Sequence, residues 1–281
     1  MYLIALLRNA TEALGHLAVW AGLYAVGCVV FVFLAIGEPM RGRVIAIAFL
    51  VTTGTYLLDR VGSWPAWPDR ADVASVPRRV RFLRRRVPRI RSIALGLLVV
   101  GLAMAASEGL LVALLVPASV AGMLAYSHGP GQSRIKDFLL LKNVAVATSL
   151  VALACVLVAA NGSWEVSTLA LAGVALWLHV LAGAMLCDVD DAVADARRGT
   201  RTIPNVLGEA KTWWAAEVLT FAAGLLLVLA AAGGLVAWSL AWPLAILPLV
   251  AVVSLHVARP NRVRNLVDLL FPVSVLLAAC Y

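Results

Sequence analysis

The feature that most constrains this chain is a series of apolar runs that recurs along its whole length. A helix needs about 20 mainly apolar residues to cross a bilayer, and nine runs approach or reach that length. They cover residues 16–36, 44–58, 93–107, 109–127, 139–160, 165–187, 213–232, 236–256 and 263–280. The chain is 63% hydrophobic, well above the roughly 45–50% apolar content of soluble domains. These runs predict an all-α, polytopic membrane protein with about nine transmembrane helices.

The distribution of positive charge predicts how these helices are oriented. The first run is too long for a signal-peptide core, so it is interpreted as a retained span. If the N-terminus is cytoplasmic, all but Arg41 and Arg43 of the 23 Lys and Arg residues fall on the cytoplasmic side. The positive-inside rule therefore predicts a cytoplasmic N-terminus, an external C-terminus and a location in the cell (inner) membrane. Anionic membrane lipid and an anionic substrate account for the net charge of +8, and no nucleic acid partner is expected.

The most informative motif directly follows the sixth apolar run. Residues 188–208 read DVDDAVADARRGTRTIPNVLG. On a continuous helix, Asp188, Asp191 and Asp195 share one face and Asp190 points away from it. Like charges at this spacing weaken a helix, and an acid at membrane depth costs roughly 2.5 kcal/mol or more. Because stability does not explain the cluster, it predicts a bound divalent cation near the membrane surface.

Another acidic region lies at the end of the second apolar run; it is called the first acidic region because it comes earlier in the chain, and residues 188–208 are the second acidic region. This run closes with Thr55, Asp59 and Arg60, and the following loop contributes Asp69 and Asp72. The predicted topology places both acidic regions on the cytoplasmic side. Mg²⁺ prefers oxygen ligands and commonly binds one or two carboxylates together with waters and substrate phosphates. The two regions therefore predict a diphosphate bridged by Mg²⁺, with nearby arginine and lysine side chains on the remaining phosphate oxygens.

The polar segment between the second and third runs has the pattern of a basic amphipathic helix. Its apolar residues Val76, Val80, Leu83 and Val87 recur at helical spacing, and arginines fill most other positions. The pattern predicts a helix that begins near Pro77 and ends at Pro88. Two interpretations are open: simple anchoring on anionic lipid, or a lid over an anionic substrate.

Seven residues of the second acidic region, in register, resemble a known family. Their pattern is similar to the second aspartate-rich motif of the UbiA superfamily of intramembrane prenyltransferases. The matching positions are Asp188, Asp191, Asp195, Gly199, Thr202, Pro204 and Gly208. Tyr126 and Ser127, with the later Lys142 and Asn143, also resemble the family's connection between its fourth and fifth helices. The resemblance implies a single UbiA-like domain over 1–281, with nine helices around a lateral cavity open to lipid and cytoplasmic cap loops at 59–92 and 188–212.

The same resemblance implies roles for individual residues. Asp191 and Asp195 hold Mg²⁺ and Asp188 supports them, while Arg134 or Lys136 meets the diphosphate. The first motif departs from the family's usual Asn-x-x-x-Asp-x-x-x-Asp, because the matching positions are Thr55, Asp59 and Ser63. Of these three positions, only Asp59 is acidic. Asp69 or Asp72 of the following loop is expected to replace the missing acidic ligand. The remaining residues expected to contact the substrate are Thr55, Arg60, Lys142, Asn143, Arg198 and Thr202.

These expectations converge on a Mg²⁺-dependent intramembrane prenyltransferase that moves an isoprenyl group from a prenyl diphosphate to an aromatic or lipid-like acceptor. A terpene cyclase that acts on the same diphosphate without an acceptor is an open alternative. A membrane transporter and a non-catalytic family member are further alternatives. Glu217 and Asp268 lie about one turn inside their spans, and intramembrane acids of this kind are candidates for lining a functional cavity.

Overall fold

The structure is a computed structural model that describes residues 11–61, 77–127, 135–162, 164–197, 199–260 and 263–280. The regular structure of these ranges is entirely helical. In chain order the helices are α1 (Val19–Ile36), α2 (Gly42–Val61), α3 (Pro77–Arg84), α4 (Val87–Glu108), α5 (Leu110–Ser127), a 3₁₀ turn (Ile135–Asp137), α6 (Leu141–Ala159), α7 (Val166–Cys187), α8 (Ala192–Arg197), α9 (Ile203–Leu207), α10 (Glu209–Ala232), α11 (Trp238–Ala258) and α12 (Arg264–Ala278).

Each of the nine apolar runs forms a long helix in the described part of the chain. Eight of these helices have the length and apolar composition to cross a membrane. The ninth, α12, has 15 residues and is therefore about 22 Å long, shorter than the hydrocarbon core of about 30 Å. The prediction of an all-α polytopic membrane protein is confirmed.

The nine long helices pack in a closed sequence around the molecule. α1 contacts α2, which contacts α4 and α5, and the sequence continues through α6, α7, α10, α11 and α12 back to α1. α1 also packs against α6 and α7, which makes it the most buried of the membrane-spanning helices. Close approach of α1 and α12 depends on Gly27, because a Cβ atom there would lie 2.9 Å from the Cα atom of Pro272.

The outer faces of α4 and α5 are apolar and exposed. Leu110 is 76% exposed and Val99 is 65% exposed. Such faces are unfavourable in water but match the hydrocarbon of a bilayer. The wide exposed apolar surface of these two helices is therefore a lipid-facing surface.

The basic segment that was predicted to form one amphipathic helix is divided between two helices, α3 and the first turn of α4. The predicted start at Pro77 is correct, but α3 ends at Arg84, and Pro88 lies in the first turn of α4. Proline lacks the N–H that the first turn leaves unpaired anyway, so it begins a helix more readily than it continues one. The prediction that Pro88 ends the amphipathic helix was wrong for this reason.

Candidate active site

One cavity of about 570 Å³ lies among α2, α5, α6, α7 and α12. Its polar end is lined by both acidic regions, and its other end is lined by aliphatic and small side chains. The acids at the polar end are Asp59, Asp137, Asp188, Asp191, Asp195 and Asp268, and the described cationic side chains there are Arg60, Arg79, Lys142 and Arg264. In its described part, the structure thus brings Asp59 of the first acidic region together with the aspartates of the second.

The three aspartates of the second region do not lie on one continuous helix. α7 ends at Cys187, residues 188–191 form turns, and α8 begins at Ala192. Asp188, Asp191 and Asp195 nevertheless all line the cavity. Asp190 points away, as expected, and accepts hydrogen bonds from the backbone N–H groups of Val263 (2.9 Å) and Arg264 (3.0 Å). Asp190 therefore caps the start of α12 and fixes this helix beside the acidic turn.

The first turn of α6 supplies two partners for these acids. The Lys142 Nζ atom lies 2.6 Å from Asp188 Oδ1 and 3.4 Å from Asp195 Oδ2. The neighbouring Asn143 Nδ2 donates to Asp188 Oδ2 over 2.9 Å. Lys142 and Asn143, which the sequence predicted to bind substrate, both line the cavity. Their direct partners in the structure, however, are the aspartates.

Arg264, which the sequence did not single out as a site residue, pairs with Asp191. Its guanidinium contacts Asp191 Oδ2 and also donates to the carbonyl of Cys187 over 3.1 Å. Burial by itself raises the pKa of the Asp191 carboxyl, but the charge and hydrogen bond of Arg264 outweigh burial, and the net shift is downward. Asp191 is thereby held as a carboxylate. In the sequence, Arg264 belongs to a short basic turn that resembles a topology signal.

Asp195 has a different electrostatic environment. Burial raises the pKa of its carboxyl, and Asp191 and Asp188 add to the shift; Lys142 only partly opposes it. A group that repels its anionic neighbours in this way gains from an added positive charge. This carboxyl is therefore well suited to bind a cation that arrives with a substrate.

The glycine, threonine and proline of the motif shape the backbone after α8. Gly199 has a φ of +74°, a conformation that glycine adopts without strain, and the turn brings Thr200 to the cavity wall. Thr200 Oγ1 donates to Asp137 Oδ1 over 2.9 Å. Thr202 is placed differently from its prediction. It is buried at the start of α9, where its N–H donates to Asn205 Oδ1, and among described residues the cavity lining includes Thr200 but not Thr202.

The first acidic region presents a single carboxylate in the described part of the chain. Asp59 accepts a hydrogen bond from the Ser127 hydroxyl. The Thr55 hydroxyl is buried in the cavity wall and has no hydrogen-bond partner among the described residues. Arg60 lines the same wall and donates to the carbonyl of Gly15.

Several predicted residues lie outside the described part of the chain. These are Ser63, Asp69, Asp72, Arg134 and Arg198. Lys136 belongs to the 3₁₀ turn, but its side chain also lies outside the description. The assignments of these residues stay predictions.

The short helix α3 covers part of the polar end of the cavity. Arg79, Val80 and Leu83 line the cavity, and Leu83 packs in a buried cluster with Leu57 of α2 and Ile90 of α4. The apolar stripe of α3 therefore packs on protein. This contact favours the lid interpretation over simple lipid anchoring.

The two intramembrane acids that the sequence treated alike have different surroundings. Asp268 lines the cavity and lies 3.8 Å from the Cys187 Sγ atom. Glu217 pairs instead with the His256 ring at 2.7 Å, and His256 stacks on Trp213. Among the described residues that line the cavity, Glu217 is not present.

The oxygen ligands at the polar end suit a magnesium ion that arrives with a phosphate group. No three acidic, histidine or cysteine side chains of the described ranges form a ready-made metal site. In their side-chain contacts with described residues, Asp59, Asp191 and Asp195 each use one carboxylate oxygen. The buried Asn143 Oδ1 has no partner within the same ranges. Because Mg²⁺ commonly takes one or two carboxylates plus waters and phosphate oxygens, this donor set fits it.

Fold and site together define a polytopic membrane protein with an acidic, membrane-embedded cavity. The sequence profile of the UbiA prenyltransferase family matches residues 77–271. The chain therefore belongs to the UbiA prenyltransferase family. No curated protein matches the sequence.

Solved structures of three relatives share the fold at low sequence identity. A UbiA homologue from Aeropyrum pernix K1 is 15% identical, with a TM-score of 0.64 over 93% of this chain and 98% of that one. A homologue from Archaeoglobus fulgidus bound to DMAPP and Mg²⁺ is 13% identical, with a TM-score of 0.60 over 96% of this chain and 97% of that one. A structure of digeranylgeranylglyceryl phosphate synthase is 13% identical, with a TM-score of 0.57 over 94% of this chain and 99% of that one.

Proposed function

We propose that this protein is a Mg²⁺-dependent prenyltransferase that moves an isoprenyl group from a prenyl diphosphate to a hydrophobic acceptor, aromatic or lipid-like. The observation that carries the proposal is a single cavity that joins a carboxylate-rich end to an aliphatic end. A prenyl diphosphate has the same division into a charged head and an apolar chain. The cavity has a volume of about 570 Å³, which lies within the range of about 300–1,000 Å³ for small-molecule sites.

The charge of the polar end supports a requirement for a divalent cation. Six acidic and four basic side chains of the described residues line the cavity. A diphosphate adds further negative charge to a wall that is already negative. Binding therefore needs cations from solution, and the relative from Archaeoglobus fulgidus with DMAPP and Mg²⁺ supports magnesium as the choice.

Asp59, Asp191 and Asp195 are the proposed metal ligands, and Asp188 orients the site through Lys142 and Asn143. Bound magnesium supplies neutralisation of the negative charge that develops on the leaving diphosphate. Asp69 and Asp72 are proposed as additional ligands. Thr55, Arg60, Arg134, Lys136 and Arg198 are proposed to bind phosphate oxygens, by hydrogen bonds or by charge.

The proposed reaction breaks the bond between the allylic carbon and the diphosphate oxygen, and the electron pair stays on the diphosphate. A nucleophilic carbon or oxygen of the acceptor then bonds to that carbon and loses a proton to water or to the released diphosphate. The rings of Tyr24, Tyr56 and Tyr126 line the cavity and offer π faces to the allylic cation. The remaining wall excludes water, which would otherwise capture the cation.

The composition of the apolar end favours transfer to an acceptor over cyclisation. A cyclase must stabilise positive charge at successive carbons along the chain, for which aromatic faces are effective. The described side chains at this end are aliphatic or small, including Leu115, Met123, Val146, Leu150 and Leu153. They provide volume for an extended chain but little stabilisation for an internal cation.

The charge bias of the sequence supports an orientation in the cell membrane. We propose a cytoplasmic N-terminus, an external C-terminus and a polar end of the cavity that faces the cytoplasm. Under this orientation, soluble Mg²⁺ and a prenyl diphosphate reach the site from the cytoplasm.

The decisive experiment combines diphosphate release with product analysis. Purified protein is incubated with geranyl, farnesyl or geranylgeranyl diphosphate and Mg²⁺, with and without a phenolic, quinone or lipid acceptor. We expect metal-dependent release of pyrophosphate and a prenylated product only when an acceptor is present. Efficient formation of a single cyclic hydrocarbon or terpene alcohol without acceptor would overturn the transferase assignment in favour of a cyclase.

A further inference from the structure

The cavity wall contains an acid, Asp268, that is not among the proposed metal ligands. It lies four residues after Arg264 in α12, and Arg264 is the partner of Asp191. Four residues correspond to about 6 Å along a helix, so Asp268 lies one turn further into the membrane than Arg264. Its Oδ1 atom lies 3.8 Å from the Sγ atom of Cys187, the last residue of α7 before the acidic turn. Asp268 therefore lies at the inner border of the carboxylate-rich end of the cavity.

Asp268 differs from the neighbouring acids in its direct partner. In its side-chain contacts with described residues it uses Oδ1 alone, and the Cys187 thiol is a neutral and weak hydrogen-bond donor. Asp188, Asp191 and Asp195 each contact a lysine or an arginine instead. An acidic side chain at membrane depth is costly and is a functional candidate by default. The Oδ2 atom of Asp268, unused by the described side chains, is available to a bound molecule.

The surroundings of Asp268 place it where the proposed reaction occurs. Tyr24 of α1 and Tyr56 and Arg60 of α2 line the cavity and lie close enough to interact with Asp268 electrostatically, as does Arg264. Asp268 therefore faces the part of the cavity where α1, α2 and α12 meet. The allylic carbon of a prenyl diphosphate is the first carbon after the charged head. When the head binds at the acidic end, this carbon reaches the border at which Asp268 lies.

We propose that Asp268 is the general base of the transfer step, a catalytic residue that takes the proton from the reacting carbon or oxygen of the acceptor. This inference rests on the proposed function. A positioned carboxylate can remove such a proton when it lies within hydrogen-bond reach, directly or through one water. An acceptor that bonds to the allylic carbon lies at the border of the acidic end, where Oδ2 of Asp268 is available to it.

Each bond and proton of the step is accounted for. The bond between the allylic carbon and the diphosphate oxygen breaks, and its electron pair stays on the diphosphate. The acceptor supplies the electron pair of the new bond. The bond between hydrogen and the reacting atom of the acceptor breaks, its electrons stay on the acceptor, and the proton passes to Asp268. The resulting carboxylic acid then releases the proton to water or to the departing diphosphate.

A base of this kind acts on one branch of the reaction only. Loss of diphosphate forms the allylic cation whether or not an acceptor is bound, and water captures the cation as a prenyl alcohol when no acceptor does. Removal of the base therefore slows capture by the acceptor but leaves diphosphate release without acceptor in place. A metal ligand or a purely structural residue would affect both branches together.

The ratio of prenylated acceptor to prenyl alcohol tests the proposal. Detergent-solubilised protein is incubated with farnesyl diphosphate and Mg²⁺, alone or with para-hydroxybenzoate, naphthohydroquinone or dioleoylglycerol, and both products are quantified by mass spectrometry. We expect Asp268→Asn to lower prenylation by about 100-fold or more, while diphosphate release without acceptor stays within about threefold of wild type and needs the same Mg²⁺ concentration. Asp268→Glu keeps the carboxylate and should recover part of the prenylation. Glu217→Gln is the matched control, because Glu217 pairs with His256 and is not among the described residues that line the cavity; it should change neither branch.

The outcomes separate this inference from the proposed function. Unchanged prenylation in Asp268→Asn, a parallel loss in both branches or a raised Mg²⁺ requirement would each overturn the base and leave the transferase assignment intact. A wild type that prenylates none of the acceptors would overturn both.

A structure of the wild type decides the question if Asp268→Asn does not fold. The protein is imaged by electron cryo-microscopy with Mg²⁺, the reactive acceptor and farnesyl S-thiolodiphosphate, whose leaving group departs very slowly. We expect the reacting atom of the acceptor within hydrogen-bond reach of Asp268 Oδ2, directly or through one water. An acceptor bound beyond that reach would overturn the proposal.

Discussion

The two acidic regions meet in one cavity but differ in how their charge is balanced. At the end of α2, Asp59 has a neutral partner, the Ser127 hydroxyl. Between α7 and α8, Asp188 and Asp195 share Lys142, and Asp191 pairs with Arg264. In the described part of the chain, the first region is therefore one carboxylate with a neutral partner, while the second is an acidic cluster already partly neutralised by the protein. The number of aspartates in a motif therefore does not give the charge that a ligand meets in the cavity.

The largest expected effect is the loss of an acid from the second region. Asp191→Asn and Asp195→Asn should each lower diphosphate release by about 100-fold or more. Each substitution removes a negative charge that holds the Mg²⁺, and this Mg²⁺ neutralises the leaving diphosphate. Pyrophosphate assays on purified protein check this. Glu165→Gln, an exposed acid at the opposite end of α7, is the matched control and should retain full activity. Equal losses in all three variants would mean that the acids of the cavity have no special role.

The first region should respond to Asp59→Asn with a loss of about 10- to 100-fold. Its sole described carboxylate is removed, but the second region remains able to hold a cation. Ser127→Ala keeps the carboxylate and removes only its hydrogen bond, so it should cost about fivefold, the equivalent of roughly 1 kcal/mol. If Ser127→Ala were as damaging as Asp59→Asn, the contact between α2 and α5 would matter more than the charge.

Asp69 and Asp72 in the loop after α2 decide whether Asp59 is the only carboxylate that the first region contributes to the metal site. If Asp69 and Asp72 supply a ligand, the double variant Asp69→Asn, Asp72→Asn should raise the Mg²⁺ concentration needed for half-maximal activity by about tenfold. The wild-type value and that of the Glu165→Gln control provide the reference. An unchanged magnesium dependence would remove both residues from the metal site and would sharpen the contrast between the two regions.

The hydroxyl of Thr55 is expected to affect substrate binding alone, and no more strongly than the Ser127 hydroxyl affects turnover. Thr55→Val should raise the KM for prenyl diphosphate by about fivefold, the value of one hydrogen bond of roughly 1 kcal/mol, and should leave kcat nearly unchanged. Thr53→Val is a close control, because Thr53 is also buried without a hydrogen-bond partner among described residues but is not among the described residues that line the cavity. Identical kinetics for the two variants would remove Thr55 from the substrate contacts.

The sequence by itself predicted the nine helical runs and the two acidic regions. Hydrophobic length determines where a chain can cross a bilayer, and this information is local. The seven motif residues likewise identified the family, whose profile matches residues 77–271. Local periodicity was less reliable at helix ends. It did not show that α7 stops at Cys187 before the acidic turn or that Pro88 lies in the first turn of α4.

Only the tertiary structure decided which cation meets which acid. Asn143 and Asp188 are 45 residues apart in the chain, and Arg264 and Asp191 are 73 apart. The same holds for the intramembrane acids, because Asp268 faces the cavity whereas Glu217 meets His256. Hydrophobic periodicity fixes which residues span the membrane, but the partner of a charged side chain depends on which helix packs beside it and at what height. These are properties of helix packing, which contacts between distant parts of the chain determine.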